Sequence, residues 1–286
     1  MRMAEIKAPP TDPKKGKVTD ISSFLTVVGN WQIEQEKRSP SGGEGFLGQL
    51  WYRGVNQQFP SLIPGVYRPS FTALAKRKYS YGNVEAKRLH LERDMLGDFR
   101  TAGAAFLDGA SVVDLYFRAQ HVGIPTRLLD WSTNPLAALF FACDGEFGMD
   151  GAVYAMVARE IIPAGARRTT KEKLHQAVMS MRHPFVQYAI GLAFWNPPKD
   201  DHHPHVLPVR PDVILGRIGQ QSSCFTLHMH NALPTNNDSL VTIPIDADSK
   251  TALRDELHRL NINQFTTYYD LDHLSKEIKR CWGLEG

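Results

Sequence analysis

Residues 136 to 143, Leu-Ala-Ala-Leu-Phe-Phe-Ala-Cys, are all apolar, and a dense polar block stands directly before them. That block runs Gln120-His121-Val122-Gly123-Ile124-Pro125-Thr126-Arg127-Leu128-Leu129-Asp130-Trp131-Ser132-Thr133-Asn134-Pro135. The apolar run falls far short of the ~20 residues that span a bilayer, so it must be buried in protein. Asn134 is a good N-cap, and Pro135 fits the first helical position, where its missing N–H costs nothing. Ala137, Ala138 and Ala142 predict a helix that lies close to a sheet. The chain therefore has to build a core around this helix, with a crowd of polar groups at its mouth. Such groups are poor core material and are better explained as a site.

The 286 residues allow one large domain or two small ones, either with a sizeable core. A net charge of +3 is too small to demand a nucleic-acid partner. Cys143, Cys224 and Cys281 are far apart, with no Cys-x-x-Cys pair, which argues against a zinc ribbon. Cys143 and Cys224 sit in apolar contexts and read as buried free thiols. Met1 to Lys17 has charge and proline but no apolar core after it, so it is not read as a secretory signal. The expected location is the cytoplasm, without a membrane partner.

Residues 1–18 are expected to form a flexible arm, and residues 19–286 a single domain with a helical or loop insertion near 165–205. Helices are predicted from Asp20, over Val84 to Phe106, from Ser111 to about Gln120, over Asp246 to Leu260, and along a last stripe of Leu271, Leu274, Ile278 and Trp282. Strands are predicted over Gly48 to Arg53, Gly151 to Val157, Ser223 to Met229 and Leu240 to Ile245. Gln58 to Pro69 reads as a proline-broken loop. Few strands among several helices give an α+β class, a compact mixed sheet with packed helices, rather than a regular βαβ array.

Four constellations could carry chemistry. Tyr52-Arg53-Gly54 ends a predicted strand, where arginine suits bidentate binding of phosphate and glycine would let a ligand approach the backbone. In the polar block, Gly123 suits the left-handed end of a helix. Arg127 and Asp130 bracket Leu128-Leu129 and are placed to pair with each other. Ser132, Thr133 and Asn134 crowd a helix N-terminus, which favours an anion; helix capping is the rival account. The third constellation is Arg217-Ile218-Gly219-Gln220-Gln221-Ser222-Ser223, before the strand Cys224-Phe225-Thr226-Leu227. Its glutamines suit recognition of a ribose or an amide rather than proton abstraction. The fourth, Asp200, Asp201, His202, His203 and His205, invites a metal. Pro197, Pro198 and Pro204 make this an irregular loop, and no metal is expected there.

Three of these segments together resemble the FRG domain family, named for its Phe/Tyr-Arg-Gly motif. Tyr52-Arg53-Gly54 corresponds to that motif. The Gln120–Pro135 block with its alanine-rich helix corresponds to the longest family block, and Arg217-Ile218-x-x-Gln221 with its strand to the third. The resemblance spans residues 45 to 275. The family usually has glycine after the glutamine, where this chain has Ser222-Ser223. The order Arg53, Ser132-Thr133, Gln221 is also similar to ADP-ribosyltransferases of the Arg–Ser–Glu type, and that likeness implies their fold. It further implies NAD as substrate, with Arg53 on a nucleotide phosphate or ribose and Ser132 and Thr133 lining the nicotinamide pocket. Tyr52, Gly54, His121, Arg127, Trp131, Asn134, Arg217 and Gln220 would complete the nucleotide site. Gln221 or Gln220 falls where that type has a catalytic glutamate. A neutral glutamine supplies little of its electrostatic stabilisation, so Asp130 is the substitute carboxylate.

The expectation is a nucleotide-using effector, a toxin or an antiviral protein, that transfers ADP-ribose from NAD to a macromolecular acceptor or cleaves NAD. One alternative is a nucleotide- or nucleic-acid-binding module without turnover, with Trp51, Tyr52 and Trp131 as stacking rings. The other is a metal-dependent nuclease that joins Asp130 to the His202–His205 cluster.

Overall fold

Two glycines and two alanines decide how the apolar helix is seated. In the computed structural model, which describes residues 16–38, 49–59, 61–145, 148–158, 178–191, 206–211, 222–229, 233–234, 240–268 and 270–284, that helix is α5 (Pro135–Cys143). The Asn134 side chain accepts from the Leu136 N–H and caps it. Beneath α5 runs β1 (Leu50–Val55). A Cβ at Gly54 would fall 1.8 Å from the Ala138 carbonyl oxygen and 2.7 Å from the Ala142 nitrogen. A Cβ at Gly151, which opens β4 (Gly151–Val157), would fall 2.3 Å from the Ala142 oxygen. Helix backbone therefore rests on strand backbone at both glycines, which is why neither can carry a side chain. All seven residues of β4 are buried, so this strand is covered on both faces.

The chain divides into two compact units. The first is built from Met1–Gln58, Asn134–Ala155 and Val241–Gly286. It holds α1 (Ile21–Arg38), β1, α5, most of β4 and most of β9 (Leu240–Ile245), with β4 between β1 and β9. Three further helices complete it: α7 (Lys250–Arg259), α8 (Gln264–Tyr268) and α9 (Leu271–Cys281). Val18 is buried and bridges Ile245, and Lys17 lies 2.7 Å from Asp150, so the last residues of the expected arm belong to this unit.

The second unit is built from Phe59–Thr133 and Met156–Leu240. It holds α2 (Pro69–Lys78), α3 (Val84–Ala102), α4 (Val112–His121) and α6 (Pro184–Gly191). Its strands β3 (Leu128–Ser132), β5 (Met179–Ser180), β6 (Val206–Arg210) and β7 (Ser223–His228) follow the order β5-β6-β7-β3. β5 runs parallel to β6, and the other two pairings are antiparallel, so the set is mixed. Its core joins Leu96, Phe117, Leu128, Ile190, Phe225 and Leu227.

The class is mixed α+β. Several local readings shift. β1 runs through Gly54 to Val55 instead of ending at Arg53. Within Gln58 to Pro69, read as a loop, β2 (Ser61–Leu62) pairs with β8 (Leu233–Pro234) and a 3₁₀ turn spans Gly65–Tyr67. α3 stops at Ala102, at the Gly103 cap, and Phe106 is 84% exposed. The α9 stripe faces outward, with Leu271 80% and Trp282 79% exposed. The buried residue of α9 is Glu277. Among the described residues, no helix is long and apolar enough to cross a membrane. Most of the expected insertion lies outside the described residues.

Candidate functional site

Tyr52, Arg53 and Gly54 are consecutive on β1, so they face opposite sides of the sheet in turn, and burial falls between Tyr52 and Arg53. Tyr52 is buried, accepts a 2.7 Å hydrogen bond from Gln32 and meets Trp31 edge-on. Burial pushes its phenol up to about 12. Arg53 is half-buried on the next position. Gly54 was expected to leave room for a ligand, but α5 fills that space. Its role is to lock the strand that carries Arg53 onto the helix whose N-terminus follows Ser132 and Thr133.

The polar block begins at the end of α4, which Ser111 starts with a capping box to Asp114. Gly123, at φ 86°, takes the left-handed position after the helix. The Gly123 N–H donates to the Gln120 carbonyl and the Ile124 N–H to the Ala119 carbonyl, the two bonds of a Schellman ending. This turn brings α4 back against β3. The Gln120 amide donates to Asp130 Oδ2 at 2.8 Å, while its carbonyl oxygen accepts from the Thr126 hydroxyl. Thr126 in turn accepts from the Leu128 N–H at 3.1 Å. Asp130 is the one exposed residue of β3. One of its oxygens is thus fixed by a neutral donor while the carboxylate faces outward. Gln120 was quoted in the motif but not picked as a site residue; its place at the helix end, ten residues before the carboxylate, was the available signal. His121, its neighbour, is exposed on the last turn of α4.

Arg127 and Asp130 do not form the pair their spacing allowed. The Arg127 side chain turns inward, where Nε lies 3.0 Å from Glu92 Oε2 on α3. Its two amino groups donate to the carbonyls of Ala189 at 2.8 Å and Ile190 at 3.2 Å, at the end of α6. The Tyr116 hydroxyl donates to Glu92 and accepts from the Arg127 backbone N–H. Burial works against the Arg127 charge, and Glu92 together with Tyr116 and Tyr67 outweighs it, so the guanidinium holds its proton more tightly than free arginine. This group ties α3, α4, β3 and α6 together and is not offered at a surface.

Trp131 also points inward. Its Nε1 donates to Thr226 Oγ1 at 3.0 Å, and that hydroxyl meets His228 Nε2 at 2.9 Å, all within the core. Trp51, Tyr52 and Trp131 are all buried, so none of the three offers a free face for base stacking. Ser132 is buried at the end of β3, opposite Ser223. The Thr133 N–H donates to the Ser222 carbonyl at 3.1 Å. Asn134 caps α5, which is the capping account of this segment.

The Arg-Gly strand locked on a small-residue helix, and the block that ends α4 and opens α5, both fall inside one family match. The family model for the FRG domain covers residues 48–150. Residues 48–150 are thus similar to the FRG domain. No curated protein and no solved structure matches the chain. The FRG match takes in Tyr52-Arg53-Gly54 and the whole Gln120–Pro135 block and stops before the third segment. Arg217, Gln220 and Gln221 lie outside the described residues, as do Asp200 to His205. Just after them, Ser222 has φ 48°. This is the left-handed region where glycine costs nothing and serine is strained.

Proposed function

We propose that the chain is a nucleotide-using effector enzyme, a toxin or antiviral protein, that transfers ADP-ribose from NAD to a macromolecular acceptor or cleaves NAD. The observation that carries this reading is Asp130. It is an exposed carboxylate, fixed at one oxygen by Gln120, two residues before Ser132 and three before Thr133. Breaking the bond between ribose and nicotinamide sends the electron pair to the leaving nicotinamide and positive charge to the ribose. A preorganised carboxylate stabilises that oxocarbenium-like state. Asp130 would supply it, with Gln220 and Gln221 hydrogen-bonding the ribose. By the likeness to ADP-ribosyltransferases, Arg53 would hold a phosphate and Thr133 would border the nicotinamide. Arg127, Trp131 and Tyr52 are buried side chains with partners of their own and are not assigned to the nucleotide.

The test is nicotinamide release from NAD, measured chromatographically with the pure chain and with added cell extract, beside transfer of labelled ADP-ribose to protein and nucleic acid. Arg53→Ala and Asp130→Asn should lose turnover while remaining folded. Gln120→Leu should lower kcat more than it raises KM. No release and no transfer under either condition refutes the proposal.

A further inference from the structure

Away from the FRG motifs, α7 and α9 bring three ligand-type atoms together. His258 Nε2 on α7 lies 2.6 Å from Glu277 Oε1 on α9, and Cys281 Sγ lies 3.7 Å from the same oxygen. All three atoms fall within 4.8 Å of one another. Glu277 and Cys281 are four residues apart and share a helix face. α9 turns Glu277 inward while Leu271, Ile278 and Trp282 face outward. A helix that buries a carboxylate and exposes its apolar stripe is spending its inner face on something other than hydrophobic contact. A pocket of about 200 Å³ opens beside the cluster, lined among others by Phe140, Arg254, His258, Gln264 and Glu277. Gln264 keeps a buried Oε1 with no hydrogen-bond donor among the described residues.

We infer that His258, Glu277 and Cys281 form a zinc site with its fourth position open to this pocket. The donor set of imidazole, carboxylate and thiolate is one zinc takes. The 2.6 Å contact is a hydrogen bond through a proton on His258 Nε2, and zinc would displace that proton and take both atoms as ligands. On tetrahedral zinc, ligand atoms sit about 3.3–3.6 Å apart. The sulfur is already near that distance, and the His258–Glu277 contact has to open by less than about 1 Å. Arg280, whose Nε is 3.2 Å from Glu277 Oε1, has Asp255 at 3.9 Å as its other anchor. Three protein ligands and one exchangeable position are the pattern of an open zinc site, where a metal-bound water would also give Gln264 Oε1 its donor.

The experiment uses the full chain, stripped with a chelator and then exchanged into metal-free buffer. Cobalt should produce a thiolate charge-transfer band and the visible bands of a four-coordinate site, and zinc should bind at one equivalent in competition with a chromophoric chelator. His258→Ala, Glu277→Gln and Cys281→Ser should each weaken zinc at least tenfold, and Cys281→Ser should remove the charge-transfer band. Cys281 is exposed, so its serine variant keeps the fold. Azide should shift the visible cobalt bands, and a spectrum unmoved by azide overturns the open position. No binding at one equivalent, a cobalt spectrum without the thiolate band, or unchanged affinity in all three variants overturns the site.

Discussion

Replacing Arg127 with methionine removes the cation of a buried pair and keeps most of its volume. The pair is closed to water, with side-chain exposures of 2% for Arg127 and 0% for Glu92. Among the described residues, the variant leaves Glu92 with the Tyr116 hydroxyl alone, and it takes the donors from the Ala189 and Ile190 carbonyls. Removing one partner of a buried pair costs about 3–5 kcal/mol. The two orphaned carbonyls add about 1 kcal/mol each. The sum, roughly 5–7 kcal/mol, is a large part of the ~5–15 kcal/mol that holds a typical native domain together. Glu92→Leu alone strands the guanidinium but leaves both carbonyl bonds, and should cost about 3–4 kcal/mol. The double variant has no stranded charge and should cost only about 2–3 kcal/mol, chiefly for the carbonyls and the Tyr116 hydroxyl. It should therefore be more stable than Arg127→Met. Guanidinium unfolding followed by tryptophan fluorescence and far-UV circular dichroism gives all three values. Single-variant losses below about 1 kcal/mol, or effects additive to within about 0.5 kcal/mol, refute the assignment of Arg127 to a buried structural pair.

Gly54→Ala should cost at least about 3 kcal/mol by thermal unfolding, because α5 backbone already occupies the Cβ position. Gly97→Ala makes the contrast: it lies inside α3 with nothing within 4 Å, and should gain about 0.5–1 kcal/mol. Ser222→Gly should raise stability by about 0.5–1 kcal/mol by relieving the left-handed serine; a loss would place some other constraint on that turn. In the native chain a thiol reagent at pH 8 should modify Cys281 quickly and spare Cys143 and Cys224. Burial pushes the Cys143 thiol up to about 12 and Cys224 well above its usual range. Full reactivity of all three before unfolding would contradict that burial.

Where a residue's local partners decide its place, the sequence was readable. Asn134 and Pro135 announce the start of α5, Ser111 and Asp114 the start of α4, and Gly123 its end, because caps and left-handed turns are satisfied within a few residues. The alanines of α5 signalled a close helix–strand contact; that Gly54 serves this contact was hidden, since a glycine looks the same whether helix or ligand approaches it. The partners of Arg127 lie 35 and more than 60 residues away, at Glu92, Ala189 and Ile190. No spacing rule reaches that far, and the nearby Asp130 was the only partner that spacing offered. α9 misled for the opposite reason. Its apolar period is regular, yet periodicity gives the width of a stripe and not the side on which the protein lies.

The polar block at the mouth of α5 is two sets of residues interleaved on one strand. Leu128 and Leu129 are both buried, on opposite faces of β3, Asp130 alone is exposed, and Trp131 is buried and meets Thr226. The inward residues find partners among buried groups, and removing them should unfold the chain before it reveals anything about chemistry. Asp130 is different: it is exposed and can be changed with little effect on the core, whereas its donor Gln120 also accepts from the buried Thr126 hydroxyl, so folding has to be measured for Gln120 variants. Loss of function at Arg127 or Trp131 therefore carries no information about a ligand unless folding is measured beside it. Loss at Asp130, Gln120 or Arg53 in a chain that still unfolds normally does. Asp130 and Gln120 from the crowded block, with Arg53 on β1, are therefore the positions at which the proposed chemistry should be tested.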